Sequence, residues 1–136
     1  MSDNECSGDG IESVETRFHT FAEGSPFTLL SGEELGPVTL AYETHGQLSA
    51  NRDNAILVFH ALSGSHHLAG NMQSVPGVGD RWNSECQHGW WNSFVGPGKA
   101  IDTDKFFVVC ANYLGGCYGS TGPSSIDNHT KQPYGS

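Results

Sequence analysis

The residues best suited to chemistry lie in one short turn, His-Ala-Leu-Ser-Gly-Ser from His60 to Ser65, directly after an apolar run. A buried strand that ends in such a turn leaves backbone N–H groups unpaired at its carboxyl end, where open α/β sheets bind their ligands. An N–H group aimed at a developing oxyanion stabilises a transition state by a few kcal/mol. We predict that Leu62 or Ser63 supplies this group, while the small neighbouring residues leave room for a substrate. A plain strand-to-helix turn is the alternative interpretation.

Other side chains with reactive groups carry weaker signals. His60 ends the apolar run, and we interpret it as a hydrogen-bonded core residue rather than as a general base. His66 and His67 are adjacent, so in a helix they would point about 100° apart and could not chelate a metal as an i, i+4 pair does. Four serines are candidate nucleophiles by residue type alone, and none lies in a Gly-x-Ser-x-Gly elbow: Ser63, Ser65, Ser120 and Ser124.

Composition argues against several classes of function. The formal net charge is −9, from 15 acidic and 6 basic residues, which argues against binding to nucleic-acid phosphates. No apolar stretch approaches the roughly 20 residues of a membrane span. The polar, acidic first residues resemble neither a signal nor a transit peptide, so a cytoplasmic location is predicted. The four cysteines contain no Cys-x-x-Cys pair, so we expect free thiols and no metal site, with Cys110 as a small core residue.

The elements that precede the turn are predicted from their apolar periodicity. Residues 1–16 are expected to form a disordered acidic tail. A hairpin follows, with one strand near Phe27–Leu30 and a second strand that presents Val38, Leu40 and Tyr42 on its apolar face. That period of two is typical of an antiparallel strand with one wet face.

Two apolar runs predict buried strands, Asn54–Ala61 and Lys105–Asn112, because both faces of each run are apolar. The segment between them is expected to be a long crossover whose one helix-like stretch is Gly89–Gly96. The predicted fold class is therefore α/β, with an N-terminal hairpin and the first buried strands of a mixed sheet in one domain over residues 17–136.

Five motifs occur in order between Val38 and Ser136: His-Ala-Leu-Ser-Gly-Ser, Trp-Trp, Val-Gly-Pro-Gly-Lys, Ile-Asp-Thr-Asp and Asn-x-x-Gly-Gly-Cys-x-Gly-Ser-Thr-Gly-Pro. Together they resemble the amino-terminal part of the homoserine O-acetyltransferase family. The resemblance implies a truncated α/β-hydrolase fold. It also implies transfer of an acetyl group from acetyl-CoA to the hydroxyl of L-homoserine, an early step toward methionine, through an acyl-serine intermediate. No tightly bound cofactor is implied, and the parent protein is expected to be a homodimer.

The resemblance assigns roles to only a few residues. Leu62 matches the family position whose backbone N–H helps to form the oxyanion hole. Trp90 and Trp91 match an aromatic pair that we interpret as packing under the crossover. A larger set is expected to shape the substrate pocket: His60, Ala61, Ser63, Gly64, Ser65, Gly119, Ser120, Thr121 and Gly122.

The resemblance also predicts what these residues lack. The family's nucleophilic serine, its aspartate and its histidine are expected beyond Ser136, so residues 1–136 alone should be inactive. The strand Asn54–Ala61 should lie between the fourth strand and the elbow strand of the parent fold, which leaves one of its edges unpaired here. Three alternatives stay open: a succinyl- or serine-specific acyltransferase, an α/β hydrolase that uses water as acceptor, and a non-catalytic interaction module.

Overall fold

A four-stranded mixed sheet lies at the centre of the fold in this computed structural model, which describes residues 12–136. The strands of the described chain are β1 (Arg17–Phe21), β2 (Phe27–Thr28), β3 (Glu34–Leu35), β4 (Val38–His45), β5 (Ala55–Val58), β6 (Val95–Gly96), β7 (Ile101–Asp102) and β8 (Phe107–Ala111). The central sheet has the order β1-β4-β8-β5. Strand β5 runs parallel to β8, whereas β4 is antiparallel to both β1 and β8. The mixed sheet predicted from the two apolar runs is therefore present. The strand predicted over Asn54–Ala61 is shorter, however, and only Val58 on it is buried, because no strand pairs with its outer edge within residues 12–136.

The predicted hairpin is wrong in its pairing. Strand β4 pairs with β1, whose Phe18 lies opposite Ala41, and not with the segment near Phe27–Leu30. That segment forms only the short strand β2, which pairs with β3 in a separate two-stranded ribbon. A turn-rich stretch after a strand favours a hairpin locally, but the longer ladder between β1 and β4 buries more backbone polar groups.

The predicted apolar face of β4 is also wrong. Val38 is buried as predicted, but Leu40 and Tyr42 are only half-buried, and the other buried residues of β4 are Ala41, Glu43 and His45. A fully buried glutamate on an interior strand requires partners for its carboxylate, because an unpaired buried charge is strongly unfavourable. Those partners lie in the segment that follows the His60–Ser65 turn.

The crossover between β5 and β8 contains turns rather than the predicted helix. Gly89–Gly96 forms consecutive turns, with Phe94 N–H donating to Trp91 O at 2.8 Å, and ends in β6. The one helical element among residues 12–136 is a single 3-10 turn, Gly79–Arg81. None of the helices in this range is long and apolar enough to cross a bilayer.

Two apolar clusters pack the crossover, one against the sheet and one within the crossover itself. One joins β5 and β8 to the segment after the turn, and it contains Val58, Leu68, Ala69, Val95, Val108 and Cys110. The other lies within the crossover and contains Met72, Val75, Val78 and Trp82. Cys110 is buried in β8, in the position predicted for it.

The ends of the described chain bear on two further predictions. Residues 1–11 of the predicted tail lie outside the described residues, but Glu12 and Val14 form backbone hydrogen bonds with Asn71 at 2.8 and 2.9 Å. Glu12 and Val14, which belong to the predicted tail, are thus bound to the crossover. Strand β5 lies at one edge of the central sheet, with Leu57 and Phe59 exposed.

Candidate functional site

The candidate site is a tight turn directly after β5. Gly64 N–H donates to Ala61 O at 2.8 Å, which closes a four-residue turn with Leu62 and Ser63 at its two corners. Neither corner N–H group donates to any protein group of residues 12–136, and the Leu62 side chain is 96% exposed. A Cβ at Gly64 would lie 3.1 Å from Ala61 O, which is tighter than ordinary van der Waals contact, so a larger residue would need the backbone of the turn to shift. The turn thus presents two adjacent backbone donors to an anionic group.

The amino end of the turn is held by His60 and Tyr113. The His60 Nδ1–H donates to Ala61 O at 2.6 Å, and its Nε2 accepts the Tyr113 N–H at 3.3 Å. The two rings stack with centroids 3.9 Å apart, and the Tyr113 hydroxyl donates to His60 O. Both ring nitrogens of His60 are therefore engaged, which leaves no free lone pair for a general base and makes His60 a structural support of the turn.

The segment that follows the turn is held by the buried carboxylate of Glu43 on β4. One oxygen accepts the N–H groups of Leu68 and Ala69 at 2.5 and 3.1 Å and the His45 ring N–H at 2.8 Å. The other oxygen accepts the His67 Nδ1–H at 2.8 Å. Burial by itself raises the pKa of Glu43, but the hydrogen bonds and charges of His45 and His67 outweigh it and hold the pKa below its ordinary value.

The ring of His67 faces acceptors on both sides. Its Nε2–H donates to Gln87 O at 2.9 Å, while Nδ1 faces the Glu43 carboxylate. Both ring nitrogens of His67 are therefore engaged, one by a carboxylate and one by a backbone carbonyl. The adjacent His66 differs, since burial lowers its pKa to about 4. Its Nε2 lies 2.9 Å from Thr16 Oγ1, and its Nδ1 has no partner within residues 12–136.

The tryptophan pair supports the same segment from its other side. Trp90 Nε1–H donates to Ser65 O at 3.0 Å, and Trp91 N–H donates to Leu68 O at 2.8 Å. The two rings lie with centroids 5.0 Å apart and stay partly exposed. Ser65 Oγ accepts the His67 N–H at 3.2 Å, so this serine is tied to the backbone.

The glycine-rich loop predicted to line the pocket lies against β4. Ser120 Oγ donates to Asn112 O at 2.6 Å and accepts the Ala41 N–H at 3.0 Å. Thr121 Oγ1 accepts the Thr39 N–H at 2.9 Å. The loop continues the ladder of β4 beyond the end of β8, and within residues 12–136 no hydrogen bond joins Gly119–Gly122 to His60–Ser65.

The structure thus divides the predicted site residues into two groups. It brings His60–Ser65 together in one turn, and it places Gly119–Gly122 in a separate loop. No serine hydroxyl of residues 12–136 is hydrogen-bonded to a histidine ring, which is the contact that activates a serine nucleophile. Sequence reasoning missed Glu43 and Tyr113, although an acidic residue within the alternating strand β4 was a usable signal.

The chain is similar in sequence to curated homoserine acyltransferases. No family model matches the chain. The chain is 54% identical over 130 residues to a homoserine O-acetyltransferase of Solidesulfovibrio magneticus, covering 95% of this chain and 30% of that protein. It is 50% identical over 111 residues to a homoserine O-succinyltransferase of Hydrogenovibrio crunogenus, covering 82% of this chain and 26% of that protein.

Solved structures give the same picture of the fold. The chain superposes on a crystal structure of homoserine O-acetyltransferase from Bacillus anthracis with a TM-score of 0.72 and 31% identity, covering 91% of this chain and 31% of that one. An esterase crystal structure matches with a TM-score of 0.71 and 35% identity, covering 89% of this chain and 31% of that one. The chain spans about 30% of the length of the curated relatives it matches.

Proposed function

Because the chain belongs to the homoserine O-acetyltransferase family and carries part of an α/β-hydrolase fold, we propose that it supplies the oxyanion-stabilising part of an acyltransferase. The reaction moves an acetyl group from acetyl-CoA to the hydroxyl of L-homoserine. The observation that carries this proposal is the turn Ala61–Gly64, whose two corner N–H groups have no partner within residues 12–136.

The turn acts in both halves of the reaction. A serine alkoxide attacks the thioester carbonyl, the C–S bond breaks, and CoA leaves as its thiol after a histidine returns the proton. The homoserine hydroxyl then loses its proton to the same histidine and attacks the acyl-serine, which releases the ester product and the serine. Each half passes through a tetrahedral oxyanion, and Leu62 N–H donates to it in both. One such donor is worth about 3 kcal/mol in the transition state.

The serine, aspartate and histidine of this mechanism are proposed to lie outside residues 1–136. Within this range no serine stands in a Gly-x-Ser-x-Gly elbow, and Ser65 and Ser120 are bonded to backbone groups. Acetyl-CoA is proposed as a co-substrate without any tightly bound cofactor. A homodimer and a cytoplasmic location are proposed from the family resemblance alone.

The experiment uses a chimera in which residues 1–136 replace the matching segment of the Solidesulfovibrio magneticus homoserine O-acetyltransferase. Supplied with acetyl-CoA and L-homoserine, the chimera should form O-acetylhomoserine, measured by mass spectrometry, with ping-pong kinetics. Release of CoA without any ester product would contradict the proposal. Binding of substrates without turnover would favour the non-catalytic interaction module.

Two neighbouring activities have specific support and are separated by the same assay. The match to a homoserine O-succinyltransferase supports succinyl-CoA as donor, and the match to an esterase supports water as acceptor. Competition between acetyl-CoA and succinyl-CoA in one reaction measures the donor preference as a ratio of kcat/KM. The ratio of O-acetylhomoserine to free acetate measures transfer against hydrolysis, and L-serine in place of L-homoserine tests the acceptor.

A further inference from the structure

The turn Ala61–Gly64 depends on its two ends for its position. Leu62 is 96% exposed, and Phe59, which lies just before the turn, is 70% exposed. No packing from residues 12–136 therefore fixes the corners of the turn. An oxyanion donor must be held close to its productive geometry, because a displacement of about 1 Å can lower a rate about 100-fold. The groups that fix the ends of the turn thus control its function.

The two ends are held by chemically different devices. The amino end is held by neutral hydrogen bonds and stacking between His60 and Tyr113. The carboxyl end is held by a buried charge: the Glu43 carboxylate accepts four hydrogen bonds, three of them from His67, Leu68 and Ala69. Hydrogen bonds to a carboxylate are shorter and about twice as strong as neutral ones. Burying that charge is unfavourable, so the geometry it enforces is its evident benefit.

We propose that Glu43 is a positioning residue, which holds the segment after the turn in place through His67 and two backbone N–H groups and so aims Leu62 N–H at the oxyanion. This inference rests on the proposed function of the turn. The titratable groups that face Glu43 are His45 on its own strand, Cys110 on β8, and His66 and His67 on the segment after the turn. Replacement of Glu43 should therefore change how fast the oxyanion forms rather than how tightly the acceptor binds.

The test is the pre-steady-state burst of p-nitrophenol from p-nitrophenyl acetate, measured on the chimera and its variants. The burst amplitude counts intact active sites, whereas the burst rate constant reports stabilisation of the oxyanion. In Glu43→Gln the amplitude should stay near one per chain while the rate constant falls about 10-fold or more. The kcat for homoserine acetylation should fall with it, with KM for homoserine within about twofold. Glu43→Asp, which keeps the charge, should recover part of the rate.

The matched control is Glu85→Gln, which removes an exposed carboxylate that accepts no hydrogen bond within residues 12–136 and should leave amplitude and rate constant unchanged. A Glu43→Gln burst with reduced amplitude and an unchanged rate constant would overturn the inference, since it describes a purely structural role. If Glu43→Gln does not fold, His67→Gln decides by the same criterion, because it removes one of the four bonds. A wild-type burst without O-acetylhomoserine contradicts the proposed function alone, while the absence of any burst contradicts both.

Discussion

Replacing Leu62 by proline removes one N–H group and little else. Leu62 occupies the first corner of the Ala61–Gly64 turn, where proline is favoured, and its φ is not positive. Its N–H donates to no group of residues 12–136, so folding loses no described hydrogen bond. The free energy of unfolding should change by less than about 1 kcal/mol. The transition state, in contrast, loses a donor worth about 3 kcal/mol, which predicts a fall in kcat of about 100-fold or more.

The matched variant is Leu62→Ala, which deletes the same exposed side chain but keeps the N–H group. In the chimera, kcat of Leu62→Ala should stay within about threefold of wild type, whereas Leu62→Pro should lose two orders of magnitude at an unchanged melting temperature. Equal kcat values for the two variants would refute Leu62 as the oxyanion donor. In that case Ser63 N–H, the other corner of the turn, would be the next candidate.

Three further predictions concern stability. Burial lowers the pKa of His66 in the folded chain to about 4 from 6.5, so the unfolded chain takes up a proton first as pH falls. The free energy of unfolding should therefore drop by about 3 kcal/mol between pH 6.5 and 4. Urea titrations of the chimera and of His66→Gln measure this drop, and identical pH slopes for the two proteins would contradict it. The pKa of Glu43 is lower in the folded chain than its ordinary value of 4.5. Glu43 therefore stabilises the fold above about pH 4.5, and this contribution is lost as pH falls through the lower, folded-state pKa. In Glu43→Gln the free energy of unfolding should accordingly depend less on pH below about pH 4.5. Ser120→Ala should destabilise the chimera by about 1–3 kcal/mol in the same titration, because Ala41 N–H and Asn112 O lose their partner. The variant should keep the p-nitrophenol burst. Loss of the burst in folded protein would mean that Ser120 touches the substrate.

A last prediction concerns residues 1–136 expressed alone. Strand β5 leaves one edge unpaired with Leu57 and Phe59 exposed, which is a template for association. We expect this polypeptide to be aggregated or molten, with ANS binding, weak near-UV circular dichroism and no acyl transfer. A monomer with a cooperative thermal transition would contradict this and favour the interaction module.

Patterns confined to a few neighbouring residues predicted their structure well. The apolar runs predicted the positions of β5 and β8. The burial predicted for both faces of β5 is wrong, since Leu57 on it is exposed. The small residues of His60–Ser65 predicted a turn with free backbone donors, and Gly64 N–H closes it. In contrast, Gly89–Gly96 has an apolar spacing that favours a helix, yet the backbone of Trp91 is bonded to Leu68 instead.

Tertiary structure decided the features that depend on distant partners. Local alternation predicted that Leu40 and Tyr42 would face the core, but the buried face of β4 carries Glu43, because histidine and backbone donors from the segment after the turn meet its carboxylate there. A charge becomes tolerable in a core only when such partners converge, and no local pattern encodes that convergence. The local sequence was enough to predict the turn with its free backbone donors and the family that the chain resembles. Three features could be read only from the tertiary structure, because each depends on contacts between segments far apart in the chain. They are the pairing of β1 with β4, the burial of Glu43 and the separation of Ser120 from the turn.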